Sequence, residues 1–380
     1  RGLGDVYKRQ LQMWSLPAAA TAADPSETAA TEDTAPTESA PTESEATETA
    51  APTAAPSHVD MDSNAGVDAP RALGGPDQLD FDAEALLLLE LNSETMVYAK
   101  NIDTRREPAS LTKVMTCLLA LEHGTLTDTV TVSEEALHDL DPSGSSSGLM
   151  AGETFTLEQL LYCLMIESGN DAAAVIAEHI ADSEAAFVEM MNAKAMELGC
   201  TGTHFTNPTG LHSDNTYSTA RDMAIMAKYA MQKSAFSSIV KNYAVQLGQT
   251  NKHADLWQYS TNKMLLTSSP YYYAPVVGIK TGSTDEAGRC VISQAEDSGY
   301  HYFCVVMGSP VTAAEPYQNF IETRQLYRWA FGNFSLRTLL EQGELMAEVP
   351  VKYSGDGKAA KLAIKEDVVQ LLRDDISLDS

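Results

Sequence analysis

Ser110 and Lys113 stand three residues apart where an apolar helical stripe begins, and a pair so spaced could carry acyl transfer. A hydroxyl at neutral pH is a poor nucleophile and needs an adjacent base. Lysine can be that base only with its amine neutral, which requires desolvation or a second cation close by. Alone, the pair also fits an N-cap serine beside a surface lysine. Two triplets follow in order, Ser168-Gly169-Asn170 and Lys280-Thr281-Gly282. In the first, Ser168 can relay a proton, and Asn170 can hold Lys113 or bond a substrate amide; alone it also fits a helix linker capped by Asn170. The second ends the apolar run Val276-Val277-Gly278-Ile279. A strand ending this way suits an edge that accepts an extended peptide. Lys280 and Thr281 could bind a terminal carboxylate, Gly282 would let substrate approach the backbone, and Lys280 could be the second cation near Lys113. Each motif recurs by chance, but the ordered set describes one serine site with a lysine base.

The surrounding pattern supplies elements to position these groups. Phe81 to Lys100 reads as a strand hairpin, with Ala85 to Leu91 apolar as in a strand covered on both faces. Leu111, Val114, Met115, Leu118 and Leu119 mark the core stripe of a helix opening at Ser110, with Ser110 and Lys113 beside the stripe. Val130 to Val132 is a short strand, and helices are predicted over 157–166, 171–180 and 187–198. Thr219-Ala-Arg-Asp222 is a capping-box start for a helix through Met231. Strands return over 276–280, 290–294 and 302–307, and a helix over 318–331 closes the unit. Strands at both ends with helices between imply an α+β fold, one sheet assembled from both termini against a helical cluster. Beyond Phe334, segments 345–353 and 361–364 read as strands. Residues 336–380 are therefore expected to be the truncated start of a small β-rich domain, after a catalytic domain over 76–335.

The 380 residues carry a net charge of −28, and the portion after residue 70 remains strongly acidic. That excludes general attraction to nucleic acid or anionic lipid. Residues 1–10 lack an apolar period and read as a non-native scar. Residues 11–23, apolar and ending in alanines, read as the remnant of a secretory signal. Residues 24–75 form an acidic Pro/Thr/Glu/Ser linker, expected to be disordered because it has too little apolar surface to offset ordering entropy. No segment is long and apolar enough to span a membrane. The five cysteines match no metal spacing. Cys290 and Cys304 fall on neighbouring predicted strands, where a disulfide or two buried thiols would fit; the pattern favours thiols.

From about Phe81 to Phe334 the chain resembles the D-alanyl-D-alanine carboxypeptidases, the low-molecular-mass penicillin-binding proteins. The resemblance rests on Glu107-Pro-Ala-Ser-Leu-Thr-Lys-Val-Met-Thr116, Glu167-Ser-Gly-Asn-Asp-Ala-Ala173 and Val277-Gly-Ile-Lys-Thr-Gly-Ser-Thr284 with Ala287-Gly288. Between them, Met191 to Gly199, Thr206 to Leu211 and Ser218 to Asp222 also match. The resemblance implies a β-lactamase/penicillin-binding-protein-like sheet with a helical cluster. It implies a serine peptidase that trims the terminal D-alanine of peptidoglycan pentapeptides through an acyl-enzyme, with β-lactams acylating the same serine. Carried over, Ser110 is the nucleophile, Lys113 its base, and Ser168 and Asn170 complete the proton network. Lys280 and Thr281 hold the substrate carboxylate, Gly282 gives it room, and the N–H groups of Ser110 and Ser283 form the oxyanion hole. No metal or organic cofactor is implied. The expected place is extracytoplasmic, with membrane association only through missing termini. One departure stands out: where the family carries an arginine about ten residues before Trp329, this chain has Asn319, with Arg324 out of register.

Two rival readings follow. A β-lactamase would need a deacylating glutamate in a Glu-x-x-Leu-Asn pattern after Asn170, and none occurs before Lys280. A catalytically silent penicillin-sensing or cell-wall-binding protein could dispense with Ser110 or Lys113, and both are present. Because residues 1–70 have no core to contribute, deleting them should leave melting temperature and turnover of a soluble substrate unchanged. A calorimetric scan of the shortened chain showing a large drop would mean that this stretch docks on the catalytic domain.

Overall fold

Six consecutive apolar or partner-bearing residues, Ala85 to Glu90, make a strand that no single-sided sheet could accommodate. All six are buried. The computed structural model describes residues 79, 81–138, 140–350 and 359–378. The expected scar, signal remnant and linker over 1–75 lie outside the described residues. This first strand, β1 (Ala85–Glu90), turns into β2 (Thr95–Lys100). A 3-10 turn over Ala109–Thr112 leads into α1 (Lys113–His123). The strand pair β3 (Thr129–Thr131) and β4 (Thr154–Thr156) brackets the short helix α2 (Glu135–His138). Helix α3 (Leu157–Tyr162) starts from a reciprocal Thr156–Gln159 capping box and widens into a π-turn over Cys163–Glu167. Then come α4 (Asn170–Ala181), α5 (Glu184–Glu197), α6 (Ala220–Met231) and α7 (Ser234–Val240).

A small hairpin, β5 (Ala244–Gly248) and β6 (Leu256–Tyr259), precedes three long strands: β7 (Val276–Thr284), β8 (Gly288–Asp297) and β9 (Tyr300–Ser309). Helix α8 (Gln318–Asn333) follows, then β10 (Phe334–Leu340), β11 (Leu345–Pro350), β12 (Ala359–Ala363) and β13 (Val368–Arg373). The main sheet is antiparallel, in the order β2-β1-β9-β8-β7. The chain's two ends thus meet at β1–β9, as the sequence order requires for one sheet. Leu86 and Leu88 pack on one face with Phe320, Leu326 and Tyr327 of α8. Leu87 and Leu89 are equally buried on the other, and α6 packs on β1 and β9. Each fully buried leucine is worth about 1.5–3 kcal/mol over exposure, so β1 holds the sheet firmly between its two helical layers.

Two local expectations are corrected, two elements were not expected, and one reading holds. The helix expected over 157–166 gives way to the π-turn after Tyr162, which delivers Ser168 in a left-handed backbone (φ 69°). Ser110 lies in the 3-10 turn, one turn ahead of α1, and Lys113 lies within the core instead of beside the stripe. The β5–β6 hairpin and α7 had no counterpart in the sequence reading. Of the two cysteine readings, thiols hold: all five cysteines are free and buried, and Cys304 pairs across the ladder with Ser293, not Cys290. Strands β10 and β13 pair, as do β11 and β12, and Leu371 of β13 is buried with Phe334 and Tyr302 in the main core.

One glycine is essential to the packing near Ser110. Gly210 has φ +80°, and a β-carbon there would collide with the Ala109 carbonyl. The Asn207 carboxamide oxygen pins this loop by accepting from Thr209 N–H (3.2 Å) and Gly210 N–H (2.7 Å). Gly210→Ala should therefore cost roughly 2–4 kcal/mol, from backbone strain plus displacement of the nucleophile's turn. A urea midpoint equal to that of the parent chain would contradict this packing.

Candidate active site

Three chain segments far apart in sequence converge on one amine. Lys113 Nζ lies 2.9 Å from Ser110 Oγ, 2.7 Å from Asn170 Oδ1 and 2.7 Å from the Thr209 carbonyl oxygen. Lys113 is fully buried, and none of its three partners is a carboxylate. Burial pushes its pKa well below the ordinary lysine value, and the nearby Lys280 lowers it further, against a smaller opposing pull from Asp171. A neutral amine has two N–H donors and one lone pair. The Asn170 and Thr209 oxygens accept the two donors, so the lone pair faces Ser110 Oγ, where a general base must be.

Each group is held by local structure with a physical cause. Ala109, immediately before Ser110, has φ 48°, and Ser168 has φ 69°, so a strained residue stands at or beside each motif serine. Pro108 precedes the 3-10 turn, and its carbonyl accepts from Leu111 N–H (3.1 Å). Asp171 locks the loop over the site. Its two carboxylate oxygens accept from Ser147 N–H (3.0 Å), Ala172 N–H (2.9 Å), Ser146 Oγ–H (2.7 Å) and Leu149 N–H (3.1 Å). In return the Ser145 carbonyl accepts from Asn170 N–H at 2.8 Å, which fixes Asn170 toward Lys113.

The third motif occupies β7, the sheet's edge. Lys280 is buried and donates to Ser168 Oγ (2.8 Å) and to the Thr281 carbonyl (2.9 Å). Burial lowers its pKa to about 7, despite the attraction of Glu167. Each of the two lysines thus contacts one motif serine, Lys113 with Ser110 and Lys280 with Ser168. Thr281 Oγ1 pairs with Thr261 Oγ1, tying the edge to the segment after β6. A β-carbon at Gly282 would lie 3.0 Å from Ser110 N, so only glycine lets β7 press against the nucleophile's turn. Ser110, Ser168, Thr281, Gly282 and Ser283 line a cavity of about 270 Å³. The structure thus brings together all eight residues singled out in the sequence.

A family model for D-alanyl-D-alanine carboxypeptidases matches residues 73–311. The chain belongs to that family. It is 34% identical over 296 residues to D-alanyl-D-alanine carboxypeptidase DacF of Bacillus subtilis, covering 77% of this chain and 72% of the relative. Penicillin-binding protein 5 from Haemophilus influenzae is similar in structure, with TM-score 0.65 and 32% identity over 79% of this chain and 85% of that one. A peptidoglycan synthesis regulatory factor (PBP3) from Streptococcus pneumoniae gives TM-score 0.66 and 28% identity over 79% and 85%. Family membership makes the chain a serine-type peptidase of α+β fold.

Several site residues of this carboxypeptidase-family chain had escaped the sequence reading. The Thr209 carbonyl is a backbone group with no sequence signature beyond Thr206 to Leu211. Thr261 follows an unrecognised hairpin. Arg289 lines the same cavity, and the register placing it opposite Ser283 could have flagged it. Asn319, where the resemblance led one to expect an arginine, is buried on the cavity wall and donates to the Cys290 carbonyl at 3.4 Å. Arg324 is turned away, to the Pro270 carbonyl. Among the described residues, Glu107, His212 and Glu286 form one group close enough to hold a cation. The His212 ring already meets the Glu107 carboxylate at 2.7 Å, which raises its pKa.

The lysine pair sets a sign for pH dependence. Acylation should rise with pH as Lys113 loses its proton. Replacing Lys280 by alanine removes a neighbouring positive charge, raises the Lys113 pKa, and should move the acid limb to higher pH, apart from any loss in maximal rate. Acylation rates with penicillin between pH 5 and 10 test this; a limb that stays put or moves to lower pH would contradict the electrostatic coupling.

Proposed function

We propose that this protein removes the terminal D-alanine of peptidoglycan stem pentapeptides through an acyl-enzyme on Ser110. Neutral Lys113 takes the Ser110 proton as Oγ attacks the carbonyl of the penultimate D-alanine. Charge develops on that carbonyl oxygen, and the N–H groups of Ser110 and Ser283 receive it. The proton passes to the departing amine through Lys113 or the Ser168–Lys280 arm, the C–N bond breaks, and D-alanine leaves. Water then attacks the ester with Lys113 again taking a proton, and Ser110 Oγ departs with it restored. A β-lactam enters the same first step, and its opened ring remains as the acyl group.

One observation carries this reading: the Lys113 amine is buried, has no carboxylate among its hydrogen-bond partners and lies 2.9 Å from Ser110 Oγ. An assembled serine–lysine pair speaks for a working enzyme over a silent penicillin sensor. The edge position of β7 supports binding of an extended peptide by strand addition. The substrate class places the protein's work outside the cytoplasm. Among the described residues no helix is long and apolar enough to cross a membrane.

Ser110→Ala should abolish covalent penicillin labelling with the fold intact. Lys113→Arg keeps the charge but stays protonated, and should slow acylation at least about a hundredfold. Mass spectrometry locating the acyl group on another serine, or near-parental acylation in Lys113→Arg, would overturn the assignment.

A further inference from the structure

We infer that Arg289 receives the substrate's terminal carboxylate, in a pocket formed with Thr281 and Tyr317. This rests on the carboxypeptidase reading above and names the group that makes it a carboxypeptidase. Such an enzyme must recognise a free carboxylate, and the motif lysine does not face one. Lys280 is buried, and its ammonium is engaged with Ser168 Oγ and the Thr281 carbonyl. Thr281 offers only a neutral hydroxyl, already paired with Thr261. Asn319 is neutral, and its amide nitrogen donates to the Cys290 carbonyl.

Arg289 meets the requirement. It sits opposite Ser283 in the β7–β8 ladder, and both residues line the cavity with Ser110 and Thr281. Its guanidinium carbon lies 5.0 Å from the centre of the Tyr317 ring, a cation–π contact that holds the group on the cavity wall. Its Nε is buried with no hydrogen-bond partner, and no carboxylate of the described residues pairs with it. That isolation is unusual in a chain with 53 acidic and 25 basic residues, where an accessible arginine has many possible partners. A planar guanidinium, short of acceptors and lining the cavity that holds the nucleophile, can match a carboxylate in two parallel hydrogen bonds. Lys263 also lies near Tyr317, at 4.8 Å, but its ammonium is a point charge without that planar match. The cation is thus supplied from β8 where α8 carries Asn319.

The test measures kcat/KM for D-alanine release from a D-Ala-D-Ala peptide as free acid and as C-terminal amide. The proteins are the full chain, Arg289→Gln, Arg289→Lys and Lys263→Gln. The parent should prefer the free acid. Arg289→Gln should lower the free-acid value roughly ten- to a hundredfold and leave the amide value within about twofold, which also shows that the variant is folded. Arg289→Lys should fall between, and Lys263→Gln should keep the parental ratio. An unchanged ratio in Arg289→Gln, or a ratio that collapses only in Lys263→Gln, overturns the role of Arg289 while the carboxypeptidase reading stands. A parent that releases D-alanine from neither peptide overturns that reading, and this inference with it.

Discussion

A lysine amine buried without a carboxylate is the constraint on which the rest of this structure depends. A charged ammonium in that position would cost several kcal/mol in lost hydration, with no ion pair to offset it. Shedding the proton is the cheaper state, and it is also the reactive one. Burial and the nearby Lys280 favour that state, while oxygens from two remote segments, Asn170 and Thr209, position the amine, with Ser110 as the third contact. Lys280 repeats the device at the second motif serine, buried against Ser168 with its pKa lowered to about 7. Two lysines in one buried site cannot both carry charge without mutual repulsion, and the Lys280 charge adds to burial in favouring the neutral form of Lys113.

The architecture follows from meeting that constraint. Asn170 reaches Lys113 because the π-turn and left-handed Ser168 redirect the chain between α3 and α4, and because Asp171 fastens the overlying loop. Thr209 reaches it because Asn207 and Gly210 fold their loop against Ala109. The edge strand β7 closes on the nucleophile through Gly282, and the four strands beside it, anchored by fully buried β1, keep that edge from moving. The strained backbone at Ala109 and Ser168 persists because well-packed surroundings determine it.

Much of this was legible in the chain. The three motifs carry their chemistry in their side-chain types, and the β1–β2 hairpin and the late strands carry theirs in apolar runs, so both were readable. Distant contacts were not. Lys113 is covered by α4 and the Thr209 loop, neither visible from the periodicity of its own helix, so the stripe alone puts it beside the core when it lies within it. The π-turn leaves no mark in an apolar run, because a widened turn buries the same residues as an α-turn. The β5–β6 hairpin is half exposed, and its short alternation is weak against the long strands that follow. Arg289 was hidden for another reason: a lone basic residue after Ala287-Gly288 has meaning only once the β7–β8 register puts it opposite Ser283.

The central claim is that the resting protein holds Lys113 as a neutral amine. NMR of protein carrying 13C at the lysine ε-carbons reads this directly, with the Lys113 signal assigned by its absence in Lys113→Met. The account predicts an ε-carbon signal that titrates well below the ordinary lysine range near 10.5 and moves upward when Lys280 is replaced by alanine. A Lys113 signal that stays in its charged position to pH 10 in the free protein would contradict it.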